Sequence, residues 1–373
     1  MASEYLDSVG VGGQTFNSDL LVSEADVAAA KGTYPTVWPL LVNRTLLGEF
    51  MRADAVANAT KRSSMRIGLS AIGIGLLGLA TAAFARLIEG LEPHTATALT
   101  ILGIVFGVLG PVMGVKASSN TGPGSRWLRA RFATERLRQF HFQSLLVMLR
   151  VSASYREAST DCLSERISVR LTELTQRFRT GFDAEFLNFI DPVTGPRAYR
   201  FFRAQDAVPI DATVAPLQQE LLDAYRELRI ERQRSYCQHV LRHPRGFFDF
   251  PVSKQRDWLT ILGPACVLLM LVLHLAHGIT IARGAHLGAY LDAGVLFFAL
   301  VALAGRALES GLSPDDEVER YETYQRRCLA AGEAFDAAAT LHQKLEAMDE
   351  MEVAAAEELH EFLRVKTRSR FVM

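Results

Sequence analysis

GIVFGVLGPVMG, Gly103 to Gly114, places four glycines at intervals of four, three and four in an otherwise apolar run. Glycine costs a helix interior about 1 kcal/mol relative to alanine. Four of them on one helical face therefore need a reason, and the reason depends on the medium around the helix. In water, apolar side chains drive helices together. In lipid the acyl chains are equally apolar, so association comes from close backbone approach, which glycine permits. Gly103, Gly107, Gly110 and Gly114 then read as a helix-packing seam of two GxxxG units. Gly68, Gly73, Gly75 and Gly78 form a comparable set in the apolar run before it.

The rest of the chain supports lipid as that medium. Its 373 residues combine 49% apolar residues and a mean hydropathy of +0.12 with 22% charged residues, so very apolar and very charged segments must alternate. Ile67–Ala85 and Ala96–Val115 hold no charged residue, nor does Leu259–Ala282, and Leu287–Gly305 holds only Asp292. A hydrocarbon core of about 30 Å needs about 20 helical residues, so each run is long enough to span it. These runs are apolar all round, unlike the one-sided helices of a soluble core. The sequence predicts an all-α integral membrane protein of two transmembrane hairpins, with spans near 67–85, 96–115, 258–277 and 287–305.

Basic residues set the expected orientation. Of 40 Lys and Arg, only Arg86 and Arg283 fall in the two short connections, whereas Lys61, Arg62, Arg66, Lys116, Arg126, Lys254, Arg256 and Arg306 flank the other ends. The positive-inside rule then places both termini and the middle region in the cytoplasm. The start, MASEYLDSVGVGGQTFNSD, has no basic n-region, so no cleaved signal peptide is expected. Pro111 and Pro264 should bend their spans.

The chain reads as four parts: a loosely structured cytosolic segment over 1–46, a helix–two-span–helix unit over 47–160, a cytosolic helix and proline-rich linker over 161–215, and a second such unit over 216–373. SGLSPDDE offers Ser313 as an N-cap and Pro314 as the first residue of a long closing helix, with a break near Gly332 or a fold-back expected. Ala117–Asp257 is basic, with 22 Lys/Arg against 16 Asp/Glu, and Ala307–Met373 is acidic, with 8 against 15, so these regions invite docking. Cys162, Cys237, Cys266 and Cys328 stand apart without metal spacing, and a reducing compartment fits.

Within this plan RWLRARFATERLRQFHFQSLL, Arg126–Leu146, resembles the element after the transmembrane pair in SLATT-type proteins, the SMODS- and SLOG-associating two-transmembrane domains of bacterial conflict systems. Trp127, Arg131, Glu135, Leu137 and Phe140 carry that likeness. RIERQRSYCQHVL, Arg229–Leu241, resembles the Arg–Gln–Tyr helix that precedes the pair, and VERYETYQRRCLAAGEAFDAA its closing helices. The resemblance covers most of Leu47–Leu363 as tandem copies. The first copy lacks the Arg–Gln–Tyr element, and the second lacks the Trp–Arg–Glu signature. It implies a non-enzymatic effector of the bacterial inner membrane that oligomerises and perturbs the bilayer on a cytosolic signal, with a sensor or nucleotide-signalling protein as partner.

Candidate chemistry is sparse. Asp292 is the one formal charge inside a span, and His274 and His277 should lie near the same outer end, as a pore-lining or interfacial group. His94 and His286 fall on the connecting loops. His239 and His243 suit an exposed helix end better than half a metal site, and GVGGQT lacks the strand–turn–helix setting of a phosphate loop. No catalytic residue, cofactor or metal is expected, and a net charge of −1 argues against a nucleic-acid partner. The expected partners are the lipid bilayer, further copies of the chain and a cytosolic signalling protein. A membrane-anchored scaffold or sensor without conduction is the alternative, and a small-solute or ion transporter the third.

Overall fold

The computed structural model describes residues 17–87, 93–118, 122–154, 160–180, 182–191, 200–202, 215–243, 250–283 and 288–368. A 3-10 turn, Ser18–Leu20, is followed by α1 (Glu24–Thr33), α2 (Trp38–Leu41), α3 (Arg44–Leu87), α4 (Pro93–Ser118) and α5 (Pro123–Ser154). Next come α6 (Thr160–Thr180), α7 (Phe182–Ile190) and α8 (Pro216–Tyr225), then a π-helical stretch, Arg226–Glu231, leading directly into α9 (Arg232–Arg242). Finally come α10 (Val252–Ala282), α11 (Gly288–Leu312), α12 (Pro314–Ala337) and α13 (Leu341–Arg368). The protein is all-helical among the described residues, and four of its helices are long and apolar enough to cross a membrane. GVGGQT and His286 lie outside the described residues.

The chain forms two compact units, each assembled from separated stretches. The first comprises residues 1–56, 129–251 and 317–364. Its core is aromatic and aliphatic. Phe132 of α5 meets the rings of Phe178, Phe182, Phe186 and Phe189 at centroid distances of 5.2–6.2 Å. Phe142 of α5, Leu222 and Tyr225 of α8, Phe335 of α12, and Met348 and Met351 of α13 are buried. The segment expected to be loose joins this core from residue 17 onward, through Leu20, Val37, Leu41 and Leu46. Its α1 opens with a capping box: the Ser23 hydroxyl accepts from the Asp26 N–H, and the Asp26 carboxylate accepts from the Ser23 N–H.

The closing helix breaks at Ala338–Thr340 rather than near Gly332. There the Gln343 side chain accepts from the Ala339 and Thr340 N–H groups, while the Thr340 hydroxyl accepts from the Gln343 N–H. TLHQ is thus a capping box that restarts the helix. Gly332 stays helical, and since a Cβ there would stand 3.3 Å from the Ile230 side chain, glycine at this position lets the two helices meet closely. Ser313 ends α11 in the left-handed region at φ 50°, its N–H donating to the Glu309 carbonyl, and Pro314 then begins α12.

The second unit comprises residues 57–128, 252–316 and 365–373, and holds the apolar lengths of α3, α4, α10 and α11. Pro111 and Pro264 both sit inside continuous helices. The apolar faces of this unit are largely open: in α10 only 6% of the most apolar 18-residue window is buried.

Candidate functional site

Helices α3 and α4 meet backbone to backbone. A Cβ built on Gly78 would overlap the Gly107 nitrogen and lie 2.9 Å from the Gly103 oxygen. One on Gly110 would lie 2.8 Å from the Ala71 oxygen and from the Gly75 Cα, and one on Gly103 would lie 3.0 Å from Ala82. Gly103, Gly110 and Gly114 are buried, as are Gly68, Gly75 and Gly78. Gly107 contributes differently from its neighbours. Its backbone faces Gly78, yet its own Cβ direction points into open space, as does that of Gly73. Helices α10 and α11 pack by another scheme, in which leucine side chains enter glycine notches: Leu273 against Gly294 and Leu262 against Gly305.

At one end of that second pair, His277 Nδ1 stands 3.2 Å from Asp292 Oδ1. Gly288 makes room for the ring, since a Cβ there would lie 3.3 Å from His277 Cε1. Asp292 is 53% exposed and His277 23% exposed, so the pair sits at the helix surface. His274, one turn earlier on α10, is exposed.

In the first unit the unusual feature is buried charge. Arg229, carried on the π-helical stretch, is 1% exposed and is the largest fully buried side chain among the described residues. It grips Glu352 of α13 in a two-pronged pair, Nε to Oε1 at 2.8 Å and Nη2 to Oε2 at 3.1 Å. The Tyr225 hydroxyl donates to the same Oε1 at 3.0 Å, and Phe142 lies under the guanidinium at 4.7 Å. A π-helical turn inserts an extra residue, and such turns often mark functional positions. Here the turn brings Tyr225 and Arg229 together onto one carboxylate.

Helix α5, which carries Trp127, Arg131 and Glu135, supplies a second network. Arg131 pairs with Glu135 at 2.7 Å, and Glu135 also holds Arg138 at 2.7 Å. Arg138 in turn meets Asp19, fully buried, at 3.0 Å and donates to Asn17 at 2.8 Å, while Gln233 donates to Asp19 at 3.3 Å. Burial pushes the Glu135 carboxyl up, but Arg131 and Arg138 outweigh it and hold the group below the usual carboxylate range. At Asp19 burial prevails over Arg138 and the carboxyl is raised. Leu137 and Phe140 are core residues, whereas Trp127 is half-buried and falls within the second unit.

Nothing in the local pattern around Asp19 signals its role, and Arg229 enters the sequence reading only as the first residue of the stretch Arg229–Leu241. The docking of basic on acidic regions is realised in part by Arg229–Glu352, Arg150–Asp349 at 2.6 Å and Arg226–Asp336 at 2.6 Å. His141 is held neutral, its pKa lowered to about 4 by burial and then by Arg229. His239 and His243 stack their rings 4.2 Å apart at the end of α9. Among the described residues, no three His, Cys, Asp or Glu side chains are grouped to hold a metal ion.

Comparison of the chain with protein-family models, with curated proteins and with solved structures finds no match.

Proposed function

We propose that the protein is a multi-pass membrane effector without catalytic chemistry, which assembles through its apolar helices and permeabilises the bacterial inner membrane on a cytosolic signal. The observation that carries this reading is the open apolar surface of the second unit. Ile261, Leu268, Leu275 and Ile281 of α10 are each more than 60% exposed. Leaving such a surface in water is costly at about 25 cal/mol per Å², so lipid or further copies of the chain must cover it. Trp258 and Tyr290, 64% and 78% exposed, suit the two interfaces at which amphipathic rings settle. The uncharged stretch Leu259–Ala282 is about 36 Å long as a helix, enough for the hydrocarbon core.

The buried pairs of the first unit favour a second reading, a membrane-anchored scaffold, because they build a well-specified helical body suited to holding partners. One experiment separates the two. The full chain is reconstituted into dye-loaded vesicles of phosphatidylethanolamine and phosphatidylglycerol at rising protein-to-lipid ratio. Dye release that climbs more steeply than linearly supports an assembling effector. Tight vesicles that retain the chain through alkaline carbonate washing reject the effector for the scaffold. Loss of the chain from vesicles in carbonate rejects both.

A further inference from the structure

Residues 17–21 enter the first unit as a short tongue. Ser18, Asp19, Leu20 and Leu21 are each at most 4% exposed, and the 3-10 turn lies against the π-helical stretch. Polar groups of three helices hold it. Arg138 of α5 stands 3.0 Å from Asp19 Oδ2 and donates to Asn17 Oδ1 at 2.8 Å. Gln233 of α9 donates to Asp19 Oδ2 at 3.3 Å, and Asn17 donates to Asp54 of α3 at 3.3 Å. Arg136, two positions before Arg138, is held by rings instead, with Phe201 at 3.9 Å and Phe189 at 5.2 Å from its guanidinium.

This seating is incomplete in several respects. The Ser18 hydroxyl is buried and makes no hydrogen bond among the described residues, and the Arg138 Nε–H, although close to Asp19, is not aligned for one. Leu21 ends the turn in the left-handed region at φ 53° and ψ 48°, where a residue other than glycine is strained. Burial raises the Asp19 carboxyl above its ordinary value despite Arg138 and Arg229, so the charge is better solvated outside the pocket. Breaking a buried ion pair is costly when one charge is left uncompensated. Here withdrawal leaves none: Arg138 keeps Glu135 at 2.7 Å, and the Asp19 carboxylate departs with the turn and regains water. Against these stand the buried side chains of Leu20 and Leu21, which hold the turn in place.

We propose that residues 17–21 form a releasable latch, a turn that withdraws from between α3, α5 and α9 while the helices around it stay folded. The apolar burial of Leu20 and Leu21 keeps it seated in the resting protein, and the unmet polar groups beside them keep the free energy of withdrawal small. The first unit thereby holds two states between which a cytosolic signal can choose. The latch requires no membrane event and stands independently of whether the chain permeabilises a bilayer.

The test is hydrogen exchange on the full chain in detergent micelles, read residue by residue by mass spectrometry with fragmentation. The Leu20 and Leu21 amides are buried and donate to the Asn17 and Ser18 carbonyls, each at 3.1 Å, so their exchange reports withdrawal. A minor state populated at about 0.1–10% should slow them about 10- to 1,000-fold relative to a free peptide. Amides of Phe142–Leu149 in α5, which exchange only when the unit itself opens, should be slower by about a further tenfold or more. Ser18→Ala removes the unsatisfied hydroxyl and Asp19→Asn removes the buried charge. Each should slow exchange at Leu20 and Leu21 about tenfold and leave the α5 rates unchanged, with thermal unfolding showing that each variant is folded. Exchange of Leu20 and Leu21 at the α5 rate would make the turn a fixed part of the core. Exchange at the free-peptide rate would show that it is not seated, and unaltered or faster exchange in either variant would remove the unmet polar groups as the cause. Any of these outcomes overturns the proposal.

Discussion

A single methyl group tests the packing of α3 on α4. In Gly78→Ala the new Cβ would overlap the Gly107 nitrogen and lie 2.8 Å from the Phe106 carbonyl carbon and 2.9 Å from the Gly103 oxygen. All three are backbone atoms, so no change of rotamer relieves the clash. The helices must part by about 1 Å to reach ordinary contact, and a gap of that order forfeits a quarter to a half of each dispersion well along the seam. Overpacking of this kind costs about 1–3 kcal/mol, against about 1 kcal/mol gained by replacing glycine in a helix. Gly78→Ala should therefore be destabilising by up to about 2 kcal/mol net. Gly107→Ala adds the same methyl to the facing helix, but into open space, and should be neutral or stabilising by up to about 1 kcal/mol. The assay is an SDS titration in mixed micelles, with spin labels on exposed Arg66 and Val115 reporting whether the helices stay paired. Equal shifts of the midpoint for the two alanines, or none for Gly78→Ala, would refute the directional reading of the seam.

The buried charges yield two more expected outcomes. Glu352→Gln removes the carboxylate that Arg229 and Tyr225 share and leaves a buried guanidinium uncompensated, which costs about 3–5 kcal/mol. Arg229→Met combined with Glu352→Leu should recover most of that loss in thermal unfolding, and a double variant no better than the single would contradict the account. His141 is a base whose folded pKa, about 4, lies below its ordinary 6.5, so the unfolded chain binds the proton first. The neutral ring is fully compatible with folding above pH 6.5, and stability drains as pH falls toward 4, by about 3 kcal/mol in total. In His141→Gln, melting temperature should fall less steeply over that window than in the parent; parallel curves would show that His141 does not titrate there.

Run length and absence of charge make the four long apolar helices legible, because those features depend on local composition alone. The helices at 17–41 are not legible in that way, since TYPTVWP and its neighbours carry turn residues and the stretch is held by tertiary contacts of Leu20, Val37 and Leu41. Glycine propensity misplaces the closing break, because the TLHQ capping box eight residues on outweighs Gly332. Spacing puts Gly107 on the same stripe as Gly103 and Gly110, but the period of a helix says nothing about which member's missing Cβ faces the neighbour. Arg131 and Glu135 are readable as a pair one turn apart. Arg136, Arg138 and Arg229 are not, because in sequence a buried arginine looks like any solvated one until its carboxylate or ring partner is placed beside it.

The π-helical stretch Arg226–Glu231 also sets the rotational phase of α9. One residue of an ordinary helix turns the chain by about 100°. The wider winding of the π-helical stretch takes up one extra residue, so deleting a single position there would relax the segment to regular helical winding with α9 kept nearly in phase. Adding or removing a position in the α-helical turns beside it would instead rotate all of α9 by that angle, and Gln233, Cys237 and Val240, now buried, would swing away from the core with no change in their own local conformation. A one-residue loss is thus accommodated within Arg226–Glu231 and not within its α-helical flanks.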